Sequence, residues 1–369
     1  MIDFRYHLVS LIAVFLALAL GIVLGAGPLN EPLGEGLTGQ VEELREDRDR
    51  LRTELEVSEV EKEHRDVFID ELAPATLGSR LEGRAVAVVA LHAANEDDVA
   101  DVRLRLEQAG AVVTGEVRVT EAWTDPDTAT FRSSFAGQIL GYLDPVPDDG
   151  AEAGVILGTA LGQALTRGDA DGDPTADAAT LLELLTSADD PLVELVDEPE
   201  QAANATVLVA ARTEETGPEE SPDPADVETR EQRLTEEVAL ARGLAATGEG
   251  SVTAGSAATE LDLVSAVRAD SAATEAVTTV DSVAEITGRM SVPMALAVAI
   301  SGEVGHYGMG TDATAAVPPT VYLPPPAPFA PEDEDAPEGQ DAPADDETAE
   351  TDASGDAAEE ATDDAADAA

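Results

Sequence analysis

The chain has 369 residues, no cysteine and a net charge of −57. This length is sufficient for one large or two modest folded domains, and the missing thiols exclude disulfides, thiolate metal sites and cysteine nucleophiles. The charge excludes nucleic acid as a partner, because phosphates would be repelled, and it is typical either of high-salt surroundings or of a surface that gathers cations.

An uncharged run from Leu8 to Ala26, LVSLIAVFLALALGIVLGA, lies near the N-terminus. At about 1.5 Å per residue the run spans roughly 28 Å, close to the hydrocarbon core of a bilayer, and it predicts one transmembrane helix within residues 1–29. Arg5 precedes the run and no basic residue follows until Arg45, which predicts a single pass through the plasma membrane with a cytoplasmic N-terminus and an extracytoplasmic bulk. A cleaved signal peptide is the alternative, although the run exceeds the usual apolar region of about 7–15 residues.

Residues 30–80 are predicted to form a short flexible neck and then a juxtamembrane coiled coil. Seven positions at alternating steps of four and three form the seam, and five of them are apolar: Leu37, Val41, Leu44, Arg48, Leu51, Leu55 and Ser58. Between them the chain is rich in Glu, Asp and Arg, as coiled coils are. With a GxxxG pair at Gly21 and Gly25 in the apolar run, the seam predicts a homodimer or higher oligomer. A single solvated helix packed on its own domain is the alternative.

Residues 81–317 are predicted to form one extracytoplasmic α/β domain. Arg84–Leu91 is a near-continuous apolar run of strand length, a helix lies between Asn95 and Gly110, and Ala111–Thr120 is a second strand. Such an arrangement indicates a βαβ unit and therefore parallel pairing. Further strands alternate with helices and predict a Rossmann-like, mostly parallel sheet; these strands are Ala205–Ala211, Ser251–Ala254 and, as the last one, Val277–Val280.

Residues 318–369 are predicted to form a proline-rich and acidic disordered tail. The proline-rich part, VPPTVYLPPPAPFAP, favours extended backbone. Residues 331–369 hold 17 Asp or Glu and no Lys or Arg, and this alanine-rich, acidic composition has too little bulk to pack. The remaining chain still carries 40 net negative charges, so the acidity is not confined to the tail.

The segment GRMSVPMALAVAISGEVGHYGMG holds the candidate site, with Met290, Met294, His306 and Met309 as hypothetical copper ligands. Thioether and imidazole groups suit a soft ion such as Cu(I). The alternative is structural, because two methionines four residues apart on a helix fill cores, and HYG would then close that helix. No glycine-rich phosphate loop, GxSxG or HExxH motif occurs, so no enzymatic activity is predicted.

The opening MIDFRYHLVSLIAVFLALALGIVLGAGPL, the coiled-coil pattern and the closing GRMSVPMALAVAISGEVGHYGMG resemble the actinobacterial MctB family of copper transport proteins. The resemblance covers residues 1–323 and implies a cell-envelope protein linked to copper efflux or homeostasis. Related members of similar layout are tied instead to the control of cell-wall hydrolysis and division alongside a membrane partner. The resemblance carries no set of copper ligands to this chain.

Two functional hypotheses follow. One transmembrane helix cannot line a pore alone, so a copper transport role would require oligomerisation or a partner in the envelope. The other hypothesis is a non-enzymatic coiled-coil scaffold that presents the α/β domain to a cell-wall or division protein.

Overall fold

The structure is a computed structural model that describes residues 4–25, 31–148, 150–187, 190–212, 224–326 and 329. Its first helix, α1, covers Phe4–Gly25. Among the described residues, α1 is the one helix long and apolar enough to cross a membrane, which confirms the predicted membrane-anchoring helix.

The second helix, α2, covers Glu31–Leu77 and is 47 residues long. The predicted neck is therefore wrong over residues 31–36, which are helical. Proline is tolerated in the first turn of a helix, so Pro32 does not prevent the helix from starting at Glu31. Residue 30, the first of the region predicted to hold the neck, lies outside the described residues.

In the described part of the chain, seven strands form one sheet in the order β3-β2-β1-β4-β5-β6-β7. The strands are β1 Ala85–Leu91, β2 Val112–Val119, β3 Val193–Asp197, β4 Ala205–Val209, β5 Gly250–Ala254, β6 Thr278–Val280 and β7 His306–Tyr307. All neighbours pair in parallel except β2 and β3, which are antiparallel. The predicted mostly parallel α/β fold is confirmed, whereas the prediction that β6 is the last strand is wrong. HYG does not close a helix either, because His306 and Tyr307 pair with β6.

Helices cover both faces of the sheet, which explains why β1 is apolar at nearly every position. The remaining helices are α3 Glu96–Gln108, α4 Ala129–Ile139, α5 Ala153–Thr166, α6 Ala176–Thr186, α7 Pro224–Ala245, α8 Leu263–Ala269 and α9 Ile286–Ile300. One core layer holds α4 to α8 and the side chains of Val89 and Leu91. The other holds the C-terminal end of α2, α3 and α9, with Val86 and Val88. We call these the α5/α7 face and the α3/α9 face.

The C-terminal part of α2 packs on the domain. Ala73 and Leu77 are fully buried on the α3/α9 face. Two ion pairs hold the same side of the helix, one from Asp70 to Arg105 at 2.5 Å and one from Lys62 to Glu285 at 2.8 Å. The seam leucines nearer the N-terminal end of α2 are exposed instead of packed on the domain: Leu44 is 70 % exposed, and Leu51 and Leu55 are each 59 % exposed. The coiled coil itself stays a prediction.

Part of the proline-rich segment also packs on the domain. Val321 and Leu323 lie against the α3/α9 face. Arg84, which is buried just before β1, donates from Nη2 to the carbonyl oxygen of Pro324 at 3.0 Å and pairs with Glu249 at 3.1 Å. The disorder predicted for residues 318–369 is therefore wrong over residues 321–324, which pack on the domain. Residues 331–369, the acidic part of the predicted tail, lie outside the described residues.

Candidate functional site

The carboxyl edge of the sheet is where a fold of this kind binds ligands. The chain leaves β1 towards α3 on one face, and after β4 it continues to α7 on the other face. The carboxyl ends of β1 and β4 therefore diverge and form a topological switch point. Polar residues directly follow two strands at this edge: His92 follows β1 and Asp281 follows β6. Gly308 follows β7.

His306 occupies β7 with both ring nitrogens engaged. Nε2 lies 3.1 Å from the carbonyl oxygen of Thr274 and 3.0 Å from its hydroxyl, and Nδ1 lies 2.9 Å from the Thr279 hydroxyl. Because a carbonyl oxygen only accepts, we infer that Nε2 carries the proton and that Nδ1 accepts from Thr279. Burial lowers the pKa of His306, and the positive charge of Arg268 acts in the same direction, so the ring is neutral at pH 7.

The three methionines of the candidate segment lie in different surroundings. Met294 is buried in the core of the α3/α9 face, Met290 is half-buried against the same core, and Met309 is 66 % exposed. His306 is in register with Thr279, whereas the next pair, Val280 and Tyr307, points into the α3/α9 core.

Because side chains alternate along a strand, the His306 ring points to the α5/α7 face. The sheet therefore lies between the His306 ring and the side chains of Met290 and Met294. Copper ligation by these four side chains stays a prediction, and of the four only Met290 and Met294 match the structural alternative, in which methionines fill the core.

Asp281 is the centre of a buried network at the ends of β6 and β7. Its carboxylate pairs with the buried Arg268 at 2.9 Å and accepts from the Ser282 hydroxyl at 2.6 Å. The backbone N–H groups of Met309 and Gly310 also donate to it, at 2.7 and 3.1 Å. Burial by itself would raise the pKa of Asp281, but these hydrogen bonds together lower it.

The same network links the HYGMG segment to β6. The guanidinium of Arg268 donates from Nε to the Thr279 hydroxyl at 3.0 Å and from Nη2 to the Tyr307 carbonyl at 2.9 Å. Gly308 has a φ of +133°, and a Cβ there would collide with the Asp281 carboxylate. The segment thus needs glycine at 308 for a structural reason: it wraps its backbone around a carboxylate of its own chain.

A second buried carboxylate, Asp98, ties the α3/α9 face to the end of β4. Arg212, which follows β4, makes a bidentate pair with both carboxylate oxygens of Asp98. Arg289 of α9 donates from Nη1 to Asp98 at 3.2 Å, and its Nε lies 3.2 Å from a carboxylate oxygen of Asp101 as an ion pair. Hydrogen bonding to Asp98 raises the pKa of Arg212. These ion pairs join α3, α9 and the segment after β4 at the carboxyl edge of the sheet, which is a structural role.

His92 differs from His306 in the hydrogen bonding of its ring. The ring is half-buried, Nδ1 is buried without a hydrogen-bond partner, and no described residue is hydrogen-bonded to either ring nitrogen. Burial lowers the pKa of His92; Glu121 and Glu237 act in the opposite direction, and Arg233 and Arg230 act with burial. These four charged groups form two ion pairs, Arg230–Glu237 at 2.5 Å and Arg233–Glu121 at 3.1 Å.

The candidate segment in the sequence included neither His92 nor Asp281. Both follow a buried strand directly, RAVAVVAL in one case and TTV in the other. That position was the available signal, because polar residues at the carboxyl ends of parallel strands meet at one edge. Among the described residues, no group of three or more His, Cys, Asp or Glu side chains is arranged to hold a metal ion.

An apolar N-terminal helix followed by a three-layer α/β domain defines a membrane-anchored α/β protein. The chain belongs to the MctB family: the family model described as "Copper transport outer membrane protein, MctB" matches residues 1–318. The resemblance noted from the sequence is thereby confirmed.

Curated relatives agree with the family match. The chain is 32 % identical over 337 residues to the copper transporter MctB of Mycobacterium tuberculosis (strain H37Rv), covering 85 % of this chain and 98 % of the relative. It is 31 % identical over 333 residues to the copper transporter MctB of Mycobacterium leprae, covering 86 % of this chain and all of that relative. The family is named for transport and not for catalysis.

Proposed function

We propose that this chain is a cell-envelope protein of copper transport or homeostasis, anchored in the plasma membrane by α1. The observation that carries the proposal is the family match, which extends from the anchor through the α/β domain to residue 318. Arg5, which lies in the first turn of α1 before the apolar run, supports a cytoplasmic N-terminus, so that α2 and the α/β domain lie outside the membrane.

The protein acts through a homodimer or higher oligomer, or through an envelope partner. A lone transmembrane helix satisfies its own backbone but encloses no pathway for an ion. The exposed apolar stripe of α2, Leu44, Leu51 and Leu55, supports self-association, because an exposed helix gains stability by burying such a stripe against another helix.

The test replaces Leu44, Leu51 and Leu55 together by lysine in the full chain, purified in detergent. We expect the wild type to be at least a dimer by light scattering and the triple variant to be monomeric. The matched control places three lysines on the opposite side of the same helix, at Glu46, Thr53 and Glu56, and should keep the wild-type mass. An unchanged mass of the leucine variant would contradict the coiled coil.

The copper role is tested in cells that lack the protein. We expect their copper tolerance to change and to be restored by the wild type but not by the monomeric variant. Unchanged tolerance, together with altered cell-wall hydrolysis or septation, would favour the second candidate function. That candidate is a non-enzymatic scaffold for a cell-wall or division partner, and the exposed stripe of α2 supports it equally.

A further inference from the structure

Five large apolar side chains are exposed between residues 57 and 72 of α2, each with an exposed fraction between 44 % and 63 %. They are Val57, Val60, Val67, Phe68 and Leu72, which we call the outer stripe. Spacings of three, four and seven residues place them on one side of the helix. At the helical rise of about 1.5 Å per residue, the outer stripe is an apolar surface about 22 Å long.

The outer stripe lies on the side of α2 that is turned away from the α/β domain. Ala73 and Leu77 are buried against the domain. At 3.6 residues per turn, the mean direction of the outer stripe is about 170° around the helix axis from that of these two residues. The seam leucines Leu51 and Leu55 lie on the domain side. A dimer formed through the seam therefore leaves the outer stripe free for another partner.

The valines of the outer stripe do not stabilise α2 by themselves. Valine is a poorer helix former than glutamate or lysine, and a side chain that stays exposed gains no free energy from burial. Burial against the apolar side of a second helix supplies that free energy, and this is how amphipathic helices are recognised. The side chains of the outer stripe are thus suited to a contact between helices.

Acidic side chains surround the outer stripe. Residues 56–72 hold seven Asp or Glu and two basic residues, and one of the two, Lys62, is turned to the domain and pairs with Glu285 at 2.8 Å. The exposed acidic residues that border or interrupt the stripe are Glu56, Glu61, Glu63 and Glu71. Because opposite charges beside an apolar contact favour binding and select the partner, this surface fits a helix that carries Lys or Arg beside its apolar side.

We propose that the outer stripe binds a basic amphipathic helix of an envelope partner. The proposal rests on the proposed function, in which the protein acts through an oligomer or an envelope partner, and it assigns that partner a surface and a chemistry.

Other occupants of the outer stripe would meet like charges. A second copy paired in parallel along the stripe would bring Glu56, Glu61 and Glu63 beside their own counterparts. Residues 331–369 hold 17 Asp or Glu and no Lys or Arg, and an anionic lipid surface would be repelled in the same way. A basic helix is favoured both by the apolar side chains and by the charges around them.

The test measures binding of a synthetic peptide to the full chain in a non-ionic detergent, with protein-free micelles as the blank. The probe is a fluorescent amphipathic helix of leucine and lysine, about 18 residues long and so able to span the stripe. Added KCl screens long-range attraction. We expect the triple variant Val60→Ser, Val67→Ser and Phe68→Ser to bind at least about ten-fold more weakly than the wild type, which corresponds to about 1.4 kcal/mol.

The matched control removes three exposed valines from loops of the α/β domain, Val146→Ser, Val304→Ser and Val317→Ser, and should bind as the wild type does. Both triple variants keep the net charge, so an attraction to the acidic surface alone would treat them alike. Equal affinities of the two variants would therefore overturn the proposal. A peptide with glutamate in place of lysine should bind the wild type at least about ten-fold more weakly, and equal binding of the two peptides would overturn the basic partner.

Light scattering separates a partner from a second copy. We expect the stripe variant to keep the mass of the wild type, because the seam and not the outer stripe holds the oligomer together. A lower mass would overturn the proposal, since it would show that a second copy covers the stripe. The copper-tolerance experiment judges the broader function separately, because the affinity of the peptide for the purified chain does not depend on its result.

Discussion

Asp281 is the residue whose loss should cost the domain most. It neutralises the buried Arg268 and accepts two backbone N–H groups from the segment after β7. Asp281→Asn leaves a buried guanidinium without its counter-ion, so we expect a loss of about 3–5 kcal/mol in the free energy of unfolding, measured by urea denaturation. Asp144→Asn is the control. It breaks the exposed pair with Arg167 and should cost less than about 1 kcal/mol. Equal losses for Asp281→Asn and Asp144→Asn would show that the Asp281 network contributes no more to stability than an exposed ion pair.

His306 should make stability depend on pH. Its pKa in the folded protein is lowered, so the folded state binds fewer protons than the unfolded state below the ordinary value of 6.5. The contribution of His306 to the free energy of unfolding is therefore fully present above pH 6.5, and it is lost as the pH drops towards the pKa of the folded state. We expect the melting temperature to fall from pH 7.5 to 5.5, and His306→Gln to reduce that fall. Part of the fall should remain, because the pKa of His92 is lowered too. A steeper fall in His306→Gln would contradict the assignment.

Residue-scale prediction from sequence succeeded where the cause is local and failed where it is not. The helix predicted between Asn95 and Gly110 is α3, and the Asn95 side chain caps it by accepting from the N–H of Asp97 at 2.9 Å. By contrast, His306 and Met290 are close in sequence, yet the sheet separates their side chains. Sequence proximity does not reveal on which side of a strand a side chain points when the strand, here β7, is only two residues long.

At the scale of elements, α5 and α7 cross with their backbones in contact. A Cβ added to Gly243 would lie 2.5 Å from backbone atoms of Gly158 and Thr159. We expect Gly243→Ala to lower the free energy of unfolding by about 1–3 kcal/mol, although alanine is the better helix former. Gly137→Ala in α4 is the matched control, because no atom lies within 4 Å of the added Cβ. It should leave stability unchanged or raise it by up to about 1 kcal/mol. A stabilising Gly243→Ala would contradict the close crossing.

The side of α2 that carries the predicted seam is exposed in its N-terminal part and packs on the α/β domain in its C-terminal part. Steps of three and four residues from Leu55 reach Lys62 and then Asp66, Ile69, Ala73 and Leu77. The lower positions pack on the domain, whereas Leu55 and the leucines above it are exposed. The alternative of a helix packed on its own domain thus holds for the lower part of α2, whereas the coiled coil of the upper part stays a prediction.

For the whole molecule, the net charge of −57 sets how stability responds to salt. The Debye length shortens from about 10 Å at 0.1 M to about 3 Å at 1 M, so added salt screens the self-repulsion of the folded chain. We expect the melting temperature to rise with KCl, by roughly 2–4 °C for each kcal/mol gained. A variant that ends at residue 330 carries 40 net negative charges and should show a smaller rise. A melting temperature independent of KCl would contradict the screening argument.

The sequence by itself determined the membrane anchor, the order of the predicted strands and helices, the parallel pairing at β1 and β2, and the family. Each depends on composition or on periodicity over a short window, which local physics controls. Tertiary structure alone decided that β3 and β7 join the sheet, since β3 exposes four of its five residues and carries no strand pattern. It also decided that the backbone of residues 308–310 encloses Asp281, and that both ring nitrogens of His306 are hydrogen-bonded while Nδ1 of His92 has no partner among the described residues. Those outcomes depend on contacts between residues far apart in the chain, and no local pattern records such contacts.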